Sequence, residues 1–186
     1  MEELDKLIKD CAAGKQQAQA NLYHMFSPKM YGVCLRYAKD ASEAEDSLQE
    51  GFLKVFTNIK SFRNEGSLEG WIRRIMVNVS LEKYRKQYIM QPVEDISVYD
   101  KGSYSDDIIS NISANDLLGM IQELPPRYKM VFNLYVMEGM SHQEIAKEMN
   151  ITEGTSKSNL ARARVILQQK VNHRFGEHRV KMNTKA

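Results

Sequence analysis

The sequence predicts an all-α protein with two small helical domains joined by an acidic flexible linker. Apolar residues recur with helical spacing in nearly every segment, and the alternating apolar pattern of β-strands is missing. Only 10 glycines and 4 prolines interrupt the 186 residues. Between residues 91 and 112 the helical pattern stops, and serines and acidic residues prevail. We therefore expect a first domain over 1–90, the linker over 91–112, a second domain over 113–174 and a basic tail over 175–186.

The first domain is predicted to contain four helices. Their apolar stripes cover Glu2 to Ala13, Gln16 to Lys39, Glu43 to Ser61 and Ser67 to Tyr88. Ser42 and Glu45 have the spacing of a capping box, which predicts that Ser42 caps the third helix. The segment from Phe62 to Gly70 contains the sequence RNEG and predicts a loop before the fourth helix.

The third predicted helix has two contrasting faces. At 100° per residue, one arc is apolar and is expected to be core: Leu48, Phe52, Val55, Phe56 and Ile59. The opposite arc combines two acids, an amide and a leucine: Asp46, Gln49, Glu50 and Leu53. Because an exposed leucine among polar groups is typical of a protein interface, we call these four residues the docking surface.

The fourth predicted helix also has a polar face. Its buried stripe is predicted to contain Ile72, Ile75, Met76 and Val79. The opposite arc carries Arg74, Asn78, Leu81 and Arg85, with Trp71 and Glu82 at its edge. Two arginines beside an asparagine can hold a nucleic-acid backbone while the amide hydrogen-bonds an unpaired base. Trp71 borders the apolar arc, so we expect it to pack in the core rather than to stack on DNA.

In the second domain, helices are predicted from near Ala114 and from Arg127 to Met137. Ser141 and Glu144 form a capping box for a short helix through Met149. After a tight MNIT turn, Thr152 is expected to cap a long basic helix that ends near Val171. This helix pair matches the helix-turn-helix pattern, whose second helix enters the DNA major groove.

The wheel of the last helix separates inward from outward residues. The inward residues are Ser156, Leu160, Ala163, Leu167 and Val171; the outward ones are Ser158, Ala161, Arg162 and Val165, with Lys157 and Arg164 on a flank. The small cationic face can reach base edges and phosphates, but an amphipathic helix with a solvated basic face remains the alternative. The further basic residues Lys170, Arg174, Arg179 and Lys181 either attract phosphates or keep a frayed tail soluble.

Composition and charge narrow the class of protein. The content of 42% hydrophobic and 27% charged residues is typical of a globular protein, and no apolar run is long enough to cross a bilayer. With a net charge of +2, any affinity for DNA must depend on where the charges lie. Cys11 and Cys34 have neither zinc-site nor redox spacing, and no secretory leader is apparent, so we expect reduced thiols in a cytoplasmic protein.

Three motifs in this order resemble the bacterial sigma-70 family, specifically its extracytoplasmic function (ECF) group. They are AEDSLQEGFLKVF in region 2, WIRRIMVNVSLEKYR directly after it, and LPPRYKMVFNLYVMEGMSHQEIAKEMNITEGTSKSNLARAR in region 4. The resemblance extends from about Leu22 to Val171. It implies two helical domains that bind core RNA polymerase and promoter DNA.

The resemblance assigns roles to individual residues. Asp46, Gln49, Glu50 and Leu53 would bind the clamp helices of the largest polymerase subunit, with a solvated acidic face as the alternative, and the β subunit would make further contacts. The −10 promoter element would be bound by Phe62, Arg63, Asn64, Arg74, Asn78, Glu82 and Arg85. The −35 element would be bound by Thr155, Lys157, Ser158, Ala161, Arg162 and Arg164. The resemblance also implies an anti-sigma partner and a linker that enters the polymerase channels, although a solvated spacer is the alternative for the linker.

The sequence departs from the commoner family pattern at three positions. Glu82 replaces an Asp or Asn, which leaves the base preference at the −10 element open. Ser156 replaces an apolar residue, and its hydroxyl is expected to bond back to the preceding helical turn. Asn159 replaces an arginine, which is expected to weaken a phosphate contact.

We therefore predict a sigma factor that binds core polymerase, recognises promoters and helps to melt them. No catalytic residue, metal ligand or cofactor is predicted, because the four histidines are dispersed and no phosphate-binding glycine loop is present. One alternative is a free-standing helix-turn-helix regulator that binds duplex DNA without polymerase. Another is an adaptor or antagonist that mimics part of a sigma factor.

Overall fold

The structure, a computed structural model, describes residues 2–88 and 113–183, with side chains described from 3 to 88 and from 113 to 175. The linker predicted over 91–112 lies wholly outside these residues. Within the described ranges every regular element is helical. The chain divides into two compact units at residues 87 and 88, which agrees with the predicted two-domain all-α class.

The amino-terminal unit contains four α-helices near the predicted positions. They are α1 (Glu2–Ala12), α2 (Gln16–Tyr37), α3 (Ala41–Asn58) and α4 (Leu68–Tyr88). A 3-10 turn, Ile59–Ser61, extends α3 toward the predicted loop. Helix α2 packs against α1 and α3, and an aromatic contact between Tyr23 and Phe52 joins α2 to α3 at 4.7 Å between ring centroids.

The cap predicted for α3 is wrong. Asp40, not Ser42, precedes the helix in extended conformation, and its Oδ1 accepts a hydrogen bond from the Glu43 amide at 2.8 Å. Glu43 Oε2 in turn accepts from the Lys39 amide at 2.7 Å. Ser42 already lies in the first helical turn, so the residue that satisfies the free amides is the acid before it.

Helix α4 approaches α3 closely where α3 has a glycine. A Cβ atom on Gly51 would lie 2.1 Å from the sulfur of Met76, which is fully buried. The core arc of α3 is buried as predicted, except that Phe56 is only half-buried. Both thiols are free and buried, and desolvation raises the pKa of Cys34 to about 11. The unit is therefore packed tightly behind the exposed face of α3.

Residues 113–183, the described part of the carboxy-terminal unit, also form four α-helices. They are α5 (Ala114–Gln122), α6 (Pro126–Phe132), α7 (His142–Met149) and α8 (Glu153–Asn183). Helix α6 continues into a π-helical turn, Asn133–Met137, so the predicted segment is helical throughout but wider in its last turn. Helices α6 and α7 both pack against α8.

The predicted caps of the helix pair are confirmed. Ser141 and Glu144 form the complete capping box of α7, and Asn150, at φ 52°, ends that helix in the left-handed conformation. The Thr155 amide donates to Thr152 Oγ1 at 3.0 Å at the start of α8. The predicted end of α8 near Val171 is wrong, because the helix continues to Asn183. No proline follows Val171, so no residue forces the backbone to leave the helix there.

Candidate functional site

The docking surface lies on one face of α3. Asp46 and Gln49 are exposed, Glu50 is half-buried, and Leu53 is 68% exposed, the highest value among the large hydrophobic side chains that the structure describes. The helical wheel had placed these four residues together, and the structure confirms that placement. A leucine that packs little in its own unit is available to a partner.

Glu50 is held by two lysines that sequence reasoning missed. Lys54 Nζ lies 3.5 Å from Glu50 Oε1, and Lys83 Nζ, from α4, lies 3.9 Å from Glu50 Oε2. Lys54 also donates to Glu82 Oε2 at 2.6 Å. The i,i+4 spacing of Glu50 and Lys54 was visible in the sequence. The other two pairs join α3 to α4 and could not be read from spacing.

Beside α4, the segment after the 3-10 turn forms an open cleft of about 430 Å³. Phe62, Arg63, Trp71 and Arg74 line it, and the rings of Phe62 and Trp71 are 5.6 Å apart. Trp71 is half-buried and also lines this cleft, so the expected core packing accounts for only part of its side chain. Its side chain is large enough to contact both the apolar interior and a ligand face.

Asn64 lies at the tip of the loop in the left-handed conformation, at φ 56°. The side-chain amide nitrogen of Asn64, Nδ2, donates to Asp5 Oδ1 of α1 at 3.3 Å. Asparagine tolerates this backbone region better than most residues do. The first helix therefore contacts the loop that was predicted to bind DNA.

The polar face of α4 is rotated from the predicted one. Arg74 and Asn78 are exposed, whereas Leu81, predicted on the same arc, is only 2% exposed, and Ile75, predicted to be buried, is half-exposed. The reason is that the core side of α4 also includes the following residues: Val77, Ser80, Leu81 and Tyr84. Glu82 and Arg85 are half-exposed and remain on the face of Asn78.

The buried side of α8 agrees with the wheel, since Ser156, Leu160, Ala163, Leu167 and Val171 are all buried. The Ser156 hydroxyl was expected to bond back to the preceding turn of its own helix, and this expectation is wrong. The hydroxyl instead lies 2.9 Å from His142 Nδ1 of α7. Asn159 is 2% exposed, so this position does not lie on the solvent face, and the predicted loss of a phosphate contact there has no support.

The opposite side of α8 carries the residues predicted to bind the −35 element. Lys157, Ser158, Ala161 and Arg164 are exposed, and Thr155 and Arg162 are half-exposed. Arg162 donates to the Tyr128 hydroxyl at 3.4 Å, and Arg164 lies 5.9 Å above the Tyr135 ring. Lys157 pairs with Glu153 at 2.7 Å, a contact that lowers the pKa of the Glu153 carboxyl.

Two of the additional basic residues have a structural partner. Lys170 hydrogen-bonds Glu123, and Arg174 lies 3.9 Å from Asp116 of α5. These pairs join α8 to α5 and to Glu123, the residue that follows α5, a role that neither alternative from the sequence included. Arg179 and Lys181 lie beyond the described side chains.

Neither a metal centre nor a membrane span is indicated in the described parts of the chain. No group of three or more His, Cys, Asp or Glu side chains there could hold a metal ion. None of those helices is long and apolar enough to cross a membrane.

The helix pair, with its cationic outer face, defines a DNA-binding protein of the helix-turn-helix class. Residues 22–88 match the family model of sigma-70 region 2, and residues 114–167 match that of sigma-70 region 4. The chain belongs to the sigma-70 family and is an ECF-type RNA polymerase sigma factor.

Several relatives match along nearly the whole chain. The ECF RNA polymerase sigma factor SigW of Bacillus subtilis is 29% identical over 90% of this chain and 96% of its own length. The ECF RNA polymerase sigma-E factor of Haemophilus influenzae is 29% identical over 89% of this chain and 93% of its own. The RNA polymerase sigma-H factor of Pseudomonas aeruginosa is 26% identical over 88% of this chain and 91% of its own length. The family is one of transcription initiation factors.

Proposed function

We propose that this sigma factor binds the clamp helices of the largest RNA polymerase subunit through the docking surface. The observation that supports this most is the 68% exposure of Leu53 on a helix whose other face is core. Asp46 and Gln49 surround it with groups that can pair with basic and amide side chains. Glu50 can join them only by sharing or leaving its two lysines.

The cleft and α4 are proposed to capture an unpaired base of the −10 element. Phe62 and Trp71 offer aromatic surface, Arg63 and Arg74 offer positive charge at the rim, and Asn78 offers an amide for a base edge. Binding a base that exists only in melted DNA favours the open state over the closed one. The protein thus acts by binding energy rather than by catalysis.

The exposed side of α8 is proposed to bind the −35 element as duplex DNA. Lys157 and Arg164 can contact phosphates or guanine, and Ser158 and Ala161 allow a close approach to the bases. Lys157 must exchange Glu153 for DNA. Arg162 keeps its hydrogen bond to Tyr128 and contacts DNA only with the exposed part of its side chain.

The partners follow from the same proposal. They are core polymerase, including its β subunit, promoter DNA, and an anti-sigma factor that covers the docking surface until it is released. We place the protein in the cytoplasm, where polymerase and DNA are found.

The test is run-off transcription with purified core polymerase on a pool of genomic fragments. The wild type is expected to give discrete start sites. Asp46→Ala/Gln49→Ala is expected to lose them because it fails to bind core, whereas Glu3→Ala, an exposed carboxylate of α1, retains them. Lys157→Ala/Ser158→Ala is expected to bind core but lose starts that depend on a −35 element, whereas Lys147→Ala on α7 retains them.

A wild type that binds duplex DNA by itself, without binding core or initiating transcripts, would replace this proposal with the free-standing regulator. Core binding without promoter-dependent starts would favour the adaptor or antagonist instead.

A further inference from the structure

Four charged side chains connect the docking surface with the face of α4 that is proposed to bind the −10 element. Glu82 and Glu50 share Lys54, and Glu50 also approaches Lys83. Lys83 also donates a hydrogen bond to the Ser47 hydroxyl at 3.0 Å. The charges of the two acids and two lysines balance within this group.

Lys54 favours Glu82 over Glu50. Its Nζ lies 2.6 Å from Glu82 Oε2, within hydrogen-bond distance, but 3.5 Å from Glu50 Oε1. The hydrogen bond to Glu82 is the largest cause that raises the pKa of Lys54, so the ammonium stays charged. The Lys54 side chain is 35% exposed, which makes the pair partly shielded from solvent.

Glu82 needs such a partner if it is to read DNA. It lies one helical turn after Asn78, on the same face of α4. A carboxylate can accept a hydrogen bond from the amino group of cytosine, but its charge repels phosphates and its side chain has several rotamers. The Lys54 ammonium group beside Glu82 reduces both effects, because it offsets the negative charge of the carboxylate and holds the Glu82 side chain in one conformation.

We propose that Lys54 is a positioning residue that fixes Glu82 and thereby sets base preference at the −10 element. This inference rests on the proposed function, since it requires α4 to face the −10 strand. Glu50, the weaker acceptor, is not required: the pair between Lys54 and Glu82 persists when Glu50 engages the polymerase. Docking strength and base preference are therefore separable.

The experiment uses holoenzyme and one active promoter in which each −10 position carries each of the four bases. Glu82→Gln first identifies the position whose base preference depends on Glu82. Lys54→Met is expected to lower the ratio between the best and worst base there by about three- to fivefold, the upper part of the range for an exposed ion pair, because this pair is partly shielded from solvent. Lys54→Arg is expected to restore most of that ratio, because it keeps the charge.

The controls separate positioning from general damage. Lys9→Met, an exposed lysine of α1, is expected to leave the ratio unchanged. In the Glu82→Gln background, Lys54→Met is expected to change the ratio by less than about twofold, since coupled residues are not additive. Glu50→Gln is expected to weaken core binding and to leave the ratio as it is.

Two results would overturn the inference while the sigma function stands. One is a uniform loss of activity on all bases with Lys54→Met. The other is an equal change of the ratio with and without Glu82. If Glu82→Gln alters no base preference, the proposed orientation of α4 is itself wrong, and the inference fails with it.

Discussion

Replacing Leu53 with glutamine isolates the apolar part of the docking surface. Full burial of a leucine contributes about 1.5–3 kcal/mol relative to exposure, and 68% of Leu53 is still exposed in the free protein. Docking can therefore gain about 1–2 kcal/mol from this side chain, which corresponds to a fivefold to thirtyfold weaker affinity for core polymerase in Leu53→Gln. The free energy of unfolding should change by less than about 0.5 kcal/mol, because the leucine packs little in its own unit.

The assay is equilibrium binding of fluorescently labelled sigma factor to core polymerase, with chemical denaturation measured on the same variants. Met25→Gln is the matched control, since Met25 is 56% exposed on α2, outside the docking surface. Leu53→Gln should weaken binding and Met25→Gln should not. Equal affinities for Leu53→Gln and the wild type would refute the docking assignment, and equal losses in both variants would show that exposed apolar area alone, irrespective of position, determines binding.

Three further predictions concern the amino-terminal unit. Asp40→Ala should lower the free energy of unfolding by about 1 kcal/mol and Ser42→Ala should not, as measured by urea denaturation; the reverse order would restore Ser42 as the cap. Gly51→Ala should destabilise the unit by about 1–3 kcal/mol in the same assay, because the new methyl group meets buried Met76; an unchanged midpoint would mean that the two helices separate easily. With a pKa raised from 9.0 to about 11, Cys34 is about a hundredfold less thiolate at pH 8 than an unperturbed cysteine. Iodoacetamide should therefore modify it about a hundredfold more slowly in native than in denatured protein, with the rate rising as pH increases toward 11; peptide mass mapping that finds equal rates would contradict its burial.

Much of the candidate site was predictable because it lies on single helices. The docking surface depends on the 100° periodicity of α3 alone, and the buried side of α8 depends on the periodicity of that helix. The Ser141 and Thr152 caps are likewise local, since each involves residues three apart. Local periodicity and capping need no knowledge of a distant partner.

The errors occurred where more than one local solution was possible. Asp40 and Ser42 are both good capping residues, and the choice depends on which backbone first becomes helical. Helix α4 has apolar residues around more than half of its circumference, so its sequence did not fix which of Ile75 and Leu81 faces the core. The neighbouring helices made that selection.

The sequence by itself determined the helical class, the two-domain order, the family and the composition of each proposed surface. Only the tertiary structure decided which charges and polar groups on different helices are already paired. Lys54 meets Glu82 across 28 residues, and His142 meets Ser156 across 14. The physical reason is that hydrogen bonds and ion pairs depend on distances of about 3 Å in space, and helix packing, not sequence spacing, sets those distances.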